Sequence, residues 1–479
     1  MEQLTLTPGR ISRRSLLGGL LAVAGGTVVA ACGQASTPTP GQPSGGPQPT
    51  AAGAEAKPTG VSGGAPSAPT ATVPAGAKVV TFWIPWGQPE RQKWVEDWGA
   101  KFRDKYPDQA LKMEFVGFGN MRQRWIAAQQ AGQMPEVVST VFPELGSAYV
   151  AGALEKADDV VNELGGTSFF LDAPLSVWQY QGAYYGVPLY VFPRMFYYRK
   201  DLFEAKGLQP PTDWDSWYQA AKALTQPPDH WGSSLAPNDH SPEVIDYLMR
   251  GQGSSMFDAD GKVQLGTPEG QAAVDMFARL VKDTGPQGMA NYTEDDQIKL
   301  FLSKDVGSII TWPALLQWVA EQAPQHVPHL GAMVPPGKSV APKPVTTNIG
   351  FALGKGTRNL DGARKYLAFI LQDEPNLAFL HSIAGVFPVT RSVAASPSFA
   401  DHPILKQYPE VVKASLDASN TGVEGGYVHG FNPTNQLALT TNPGLPEMMQ
   451  AIVLQGTAVN QAVDDETKRM NSAIAQARR

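Results

Sequence analysis

One cysteine in 479 residues, Cys32, excludes an intramolecular disulfide and any cysteine-rich metal site. Positive charge is also in short supply. The formal net charge is -6 and no long Lys/Arg run stands against it, which excludes a nucleic-acid binder whose affinity rests on a basic face. Charged residues make up 17% and hydrophobic residues 42%, ordinary for a chain that folds in water and unlike an integral membrane protein with many spans. There is no Gly-x-Ser-x-Gly elbow, no His-Glu-x-x-His helix and no phosphate loop. What the chain has is length, enough for two or three compact units.

The amino-terminal fifth reads as an address and a tether. Arg10, Arg13 and Arg14 precede an uncharged apolar run from Leu16 to Ala31, broken by Gly18, Gly19, Gly25 and Gly26, and then Cys32. This is signal-peptide layout. Ser12-Arg13-Arg14-Ser15-Leu16-Leu17 resembles a twin-arginine export motif, and Val29-Ala30-Ala31-Cys32 resembles a lipobox. Residues 1–32 are therefore expected to be a leader ending at a lipidated Cys32. The alternative, an uncleaved membrane helix, is weakened by the short run and its glycines. Apart from Val61 and Val73, residues 33–77 are Pro, Gly, Ser, Thr, Ala and Gln, with no aromatic and only Glu55 and Lys57 charged. Such a segment buries too little apolar surface to offset chain entropy and is expected to be a disordered tether, with a reach of roughly 35–40 Å.

From Lys78 the pattern changes. Val79, Val80, Phe82 and Ile84 read as a strand, and Trp94, Trp98 and Phe102 recur every four residues, which places three large side chains on one helix face. A strand over Leu111–Val116, a helix carrying Met121 and Trp125 and a strand over Val137–Thr140 continue a βαβ rhythm, the signature of a largely parallel sheet. Thr212 and Thr267-Pro268-Glu269 read as helix starts, Val306–Thr311 as a buried strand, Asp361–Leu371 as a helix and Asn460–Ala477 as a closing helix.

The order of several short motifs resembles the family 1 extracellular solute-binding proteins, the periplasmic and lipoprotein sugar receptors of ABC importers. The carriers are Phe82-Trp83-Ile84-Pro85-Trp86-Gly87, Ala131-Gly132-Gln133-Met134-Pro135-Glu136-Val137-Val138, Ala151-Gly152-Ala153-Leu154 and Tyr185-Gly186-Val187-Pro188. Further on come Tyr197-Tyr198-Arg199-Lys200-Asp201-Leu202-Phe203, Ile349-Gly350-Phe351-Ala352-Leu353 and Gly385-Val386-Phe387-Pro388-Val389. The resemblance implies an α/β protein of periplasmic-binding-protein type II-like architecture, two α/β lobes joined by hinge crossovers. The crossings are expected near Tyr190–Arg194, Thr347–Gly350 and Phe387–Val393. They assign 78–192 and 349–391 to an N-terminal lobe, and 193–348 and 392–479 to a C-terminal lobe. The implied function is capture of a sugar or oligosaccharide between the lobes, without catalysis, cofactor or metal. The implied partners are ABC permease subunits and, through the lipid anchor, the membrane. The protein is expected to act as a monomer in the cell envelope, outside the cytoplasm.

Sugar sites combine flat apolar faces with amides, carboxylates and arginines for the hydroxyls. The resemblance places them on loops that follow strands: Trp86 and Glu90, Phe142 and Glu144, Phe192 and Arg194, Asn238, Asp239 and His240, Trp312, and Asn348. Trp86 has a bland alternative as a loop-packing residue. The sequence also departs from the family pattern. Val141 stands where many sugar receptors carry a hydroxyl-binding aspartate, Thr390 where an arginine is frequent, and Thr347 and Asn348 where two glycines are usual. A receptor of the same fold for a non-sugar solute is therefore an alternative, as are an adhesin or sensor subunit and a secreted carbohydrate-active enzyme. Asp258-Ala259-Asp260-Gly261 reads as a turn between short strands rather than a calcium loop, and His326 and His329 as exposed loop histidines.

Overall fold

The computed structural model describes residues 76–424, 432–441 and 444–478. The expected leader, Cys32 and the tether up to residue 75 lie outside the described residues.

Strand and helix signals from Lys78 onward give the elements expected of them, but the sheets are mixed rather than largely parallel, because Val345–Gly354 runs against most of its neighbours and Met195–Arg199 against both of its own. The strand Lys78–Ile84 lies between Gln109–Phe115 and Val137–Val141 and runs parallel to both. The helix Pro89–Lys105 starts on a proline, which loses nothing at a position where the N–H has no helical partner. It buries Trp94, Trp98 and Phe102 as their four-residue spacing requires. This first sheet is ordered Val423–Glu424, Val345–Gly354, Val137–Val141, Lys78–Ile84, Gln109–Phe115. Val345–Gly354 also pairs antiparallel with Val187–Pro193 and with Leu154–Glu155.

A second sheet is ordered Leu330–Met333, Met195–Arg199, Asp305–Thr311, His230–Ser234. Helices Trp214–Leu224, Pro237–Arg250 and Pro268–Thr284 pack around it. The expected cap at Thr267 accepts the Gly270 N–H, whereas the opening near Thr212 moves one residue on, with Asp213 and Ser216 closing a capping box. The closing helix is Val459–Ala477.

The chain passes from the first sheet to the second with one residue, Arg194, between the strands Val187–Pro193 and Met195–Arg199. This falls within the expected crossing. The second differs from its expected place: Thr347–Gly350 lies inside the first-sheet strand Val345–Gly354, so the passage occupies residues 334–344. Four partner strands hold that strand, and a run of ten residues, nearly all buried, is more stable as strand than as connector. Near the expected third crossing, Phe387 bridges Val191 and Thr390 bridges Phe170, so this stretch still follows the first half. The helix Pro409–Thr421 then lies against both Val187–Pro193 and Leu330–Met333 before Val423–Glu424 returns to the first sheet. One hydrophobic core runs continuously from Phe82, Phe351 and Leu189 through Met195 and Tyr197 to Val306 and Ile309, and so spans the junction.

Asp258 Oδ1 accepts the N–H groups of Asp260 and Lys262 while Phe257 bridges Val263, a turn between short extended segments, as read from sequence. His326 corrects the sequence reading. It is buried, with Nε2 3.3 Å from Arg199 Nη1, because the 3-10 turn Pro324–His329 folds back over the second sheet.

Candidate ligand-binding site

In both sheets the carboxyl ends of the parallel strands point to the junction. Thr311 pairs with Met195 and Ile309 with Ser234, so the ends of Asp305–Thr311 and His230–Ser234 and the start of Met195–Arg199 share one edge. Arg194, Trp312 and the start of the helix Pro237–Arg250 therefore converge. In open α/β sheets this edge is where loops are free to carry ligand groups.

The cluster has a polar half and an aromatic half. Arg194 Nη1 donates to Glu294 Oε1 at 3.0 Å, and its Nη2 lies 3.3 Å from His240 Nδ1. His240 Nε2 is 3.1 Å from the same Glu294 oxygen, and Thr311 Oγ1 donates to it at 3.1 Å. Burial alone would push the Glu294 carboxyl up. The His240 hydrogen bond and the Arg194 charge outweigh it and hold the carboxyl down at about 2. Glu294 opens the helix Glu294–Ser303, whose N-terminal dipole favours the same charged form, and its backbone N–H is taken by Asp239 Oδ2 at 2.8 Å. In the aromatic half, Phe192 and Trp312 are half-buried with ring centroids 5.0 Å apart and planes tilted by 44°. Trp312 Nε1 is buried without a partner among the described residues.

Asn348 borders this cluster from the first sheet. Its backbone N–H and Nδ2 both donate to Glu424 Oε2, at 2.9 and 2.8 Å. Burial pushes the Glu424 carboxyl up to about 8 against those two bonds. Glu243, beside Arg194 and His240, leaves one buried carboxylate oxygen without a partner among the described residues. A crevice lined by Arg194, His240, Glu243, Tyr247 and Pro335 has about 10 Å³ of free space, roughly the room of one water.

Phe192, Arg194, Asp239, His240 and Trp312 are thus brought together, with Asn348 at their border. The remaining candidates are not part of that cluster. Trp86 is 1% exposed and packs on Phe82, Phe351 and Phe379. Glu90 is exposed in the first turn of its helix, and Asn238 is exposed with Nδ2 on Asp239. Glu144 has one buried oxygen without a partner among the described residues, and burial raises its carboxyl against the opposing charge of Arg122. Phe142 opens the same helix, Phe142–Val150, and its side chain lies outside what the structure describes.

That helix meets a helix from the far end of the chain. At Gly146 a Cβ would overlap the side chain of Gln436 and the carbonyl of Pro433, so only glycine admits the approach of Pro433–Thr441. Pro433–Thr441 packs in turn on the closing helix Val459–Ala477, which rests on Pro268–Thr284 beside the second sheet. The two halves therefore touch beyond the junction.

Glu294, Glu243 and Glu424 were missed from sequence. For Glu294 a signal was there: Thr293 and Asp296 form a capping box around it, marking a helix start. Nothing local marks Glu424, whose partner Asn348 is 76 residues away.

Two α/β halves joined by short crossings, with their strand ends facing a common polar and aromatic edge, define a two-lobed binding protein. The model of the bacterial extracellular solute-binding protein family matches residues 86–376, and the chain belongs to that family. Among curated relatives, a putative binding protein of Brucella abortus is 27% identical over 306 residues, 63% of this chain and 74% of the relative. The putative ABC transporter periplasmic-binding protein YcjN of Escherichia coli is 22% identical over 406 residues, 81% and 91% of the two chains. Among solved structures, the GacH receptor of Streptomyces glaucescens, studied unliganded and with acarbose, superposes with a TM-score of 0.69 at 19% identity. That match covers 83% of this chain and 99% of the receptor. The fold is thus the type II binding-protein architecture expected from sequence. No helix among the described residues is long and apolar enough to cross a membrane.

Proposed function

We propose that this chain is the substrate-binding subunit of an ABC importer and captures a sugar or oligosaccharide between its two lobes. The observation that carries the reading is the convergence of Phe192 and Trp312 with Arg194, His240 and Glu294 where the chain crosses between the sheets. Flat rings suit the C–H faces of a sugar ring, and the charged groups suit its hydroxyls. Ligand contacting both lobes stabilises their closed arrangement, and a permease can read that state. The kinship to YcjN and to a receptor solved with acarbose supports the same reading.

Lipidation of Cys32 after twin-arginine export would hold the domain at the outer face of the membrane as a monomer, the tether up to residue 77 giving it reach. The lobes we propose comprise 78–192 with 345–391, and 195–333 with 432–441 and 444–478, with Pro409–Thr421 against both. Binding is reversible and without turnover.

Mixing the chain with neutral and acidic mono- and oligosaccharides is expected to raise its melting temperature and return the ligand intact, since a ligand that binds only the folded state stabilises it by mass action. Cleaved product would favour a carbohydrate-active enzyme. A shift with none of the sugars would favour the non-sugar solute. Cys32→Ser is expected to release the protein from membranes.

A further inference from the structure

The carboxyl edge of the first sheet carries an aromatic ring outside the cluster at the junction. Phe115 ends the strand Gln109–Phe115 and is 43% exposed. Its register partner is Ile84, the last residue before the loop that holds Trp86 and Gly87. The ring stands beside that loop, since a Cβ placed on Gly87 would come within 3.7 Å of Phe115 Cε2. A methyl at 87 would rest against the edge of the ring, a contact that glycine does not make.

The strand of Phe115 is the outermost of its sheet, three inter-strand steps from the strand Val345–Gly354 that carries Asn348. At roughly 4.8 Å a step, the ring stands at least about 14 Å to the side of the junction residues. A single sugar ring held at Phe192 and Trp312 does not reach it. A chain of several rings lying along the strand ends does.

We propose that Phe115, exposed beside Gly87, is an outer stacking platform that makes this binding protein selective for oligosaccharides over single sugars. The proposal rests on the sugar-receptor reading above. An exposed ring gains by covering its face with the apolar C–H face of another ring, and water is released from both. Ligands too short to reach the platform gain nothing from it. The same ring therefore sorts ligands by length.

The test titrates the full chain and its Phe115→Ala variant calorimetrically with malto-, xylo- and arabino-oligosaccharides of one to five units. Affinity of the unaltered chain is expected to rise with length, and Phe115→Ala is expected to cost about tenfold for the longest oligomers of the series that binds, by the loss of one ring contact. The shortest ligand that binds should be unaffected, and Phe115→Trp should keep the preference for length. Equal loss at every length, or no loss at any, overturns the platform while leaving the sugar reading in place. Failure of the unaltered chain to bind any of the series overturns the sugar reading and the platform with it.

Discussion

Two tryptophans follow strands of this molecule, Trp86 after Lys78–Ile84 and Trp312 after Asp305–Thr311, and they have different fates. Trp312 stays half-buried against Phe192 and Trp318 at the edge where the strands end. Trp86 is enclosed, and what encloses it is a charge. The Arg91 guanidinium lies 5.6 Å from the Trp86 ring, 5.3 Å from Tyr190 and 4.9 Å from Phe379, with its Nε and Nη2 buried and without partners among the described residues. Three aromatic faces offset part of the cost of a cation that meets no carboxylate among the described residues. The position after a strand is thus permissive only. Whether a ring is free for ligand is decided by what lies beneath it.

Substitution of the two rings gives the sharpest contrast. Trp86→Ala is expected to lower unfolding free energy by about 3–5 kcal/mol in denaturant titrations, as a large core side chain is lost. Trp312→Ala should leave the fold nearly intact and weaken ligand binding by more than about 1 kcal/mol. Equal destabilisation by both would erase the distinction between them.

Glu424 and Glu294, one on each side of the junction, should part in their response to pH. The Glu424 carboxyl is raised in the folded state from an ordinary 4.5 to about 8, so the fold holds its proton more tightly than the unfolded chain does. Stability from this group is full below about 4.5 and is lost as pH rises through about 8. Glu294 is lowered to about 2, so its contribution is present above about 4.5 and is lost as pH falls through about 2. Melting curves at pH 6 and pH 9 should show a fall at the higher pH that Glu424→Gln flattens, because the amide cannot ionise. An unchanged fall in the variant would assign the loss to other groups.

The smallest expected effect concerns the cage. Arg91→Met keeps most of the volume and removes the unpaired charge, and should raise stability by about 1 kcal/mol in the same titrations. A loss of stability would mean that the three rings hold the cation at a net gain.

The strands and helices were legible where the signal is periodic and local. Phe82 and Ile84 fill a core, and Trp94, Trp98 and Phe102 line one helix face, as their spacing dictates. The site was legible in part. Arg194 and Trp312 stand out because each sits at a strand boundary, and strand boundaries can be read from sequence. Trp86 misleads because Phe379, which helps enclose it, lies almost three hundred residues away and belongs to a different helix. The second crossing was displaced for a related reason. Thr347 and Asn348 read as a connector, whereas Val137–Val141, Val187–Pro193 and Val423–Glu424 all pair with the strand that contains them.

Arg194 is the whole of the first passage between the sheets, and its backbone N–H is fastened to the carbonyl of Val345 at 2.7 Å. The axle on which the halves would swing and a hand that would grasp the cargo are then a single amino acid. If Arg194 holds a visiting molecule as proposed, any rearrangement of its guanidinium would reach that passage through the bonds of one residue.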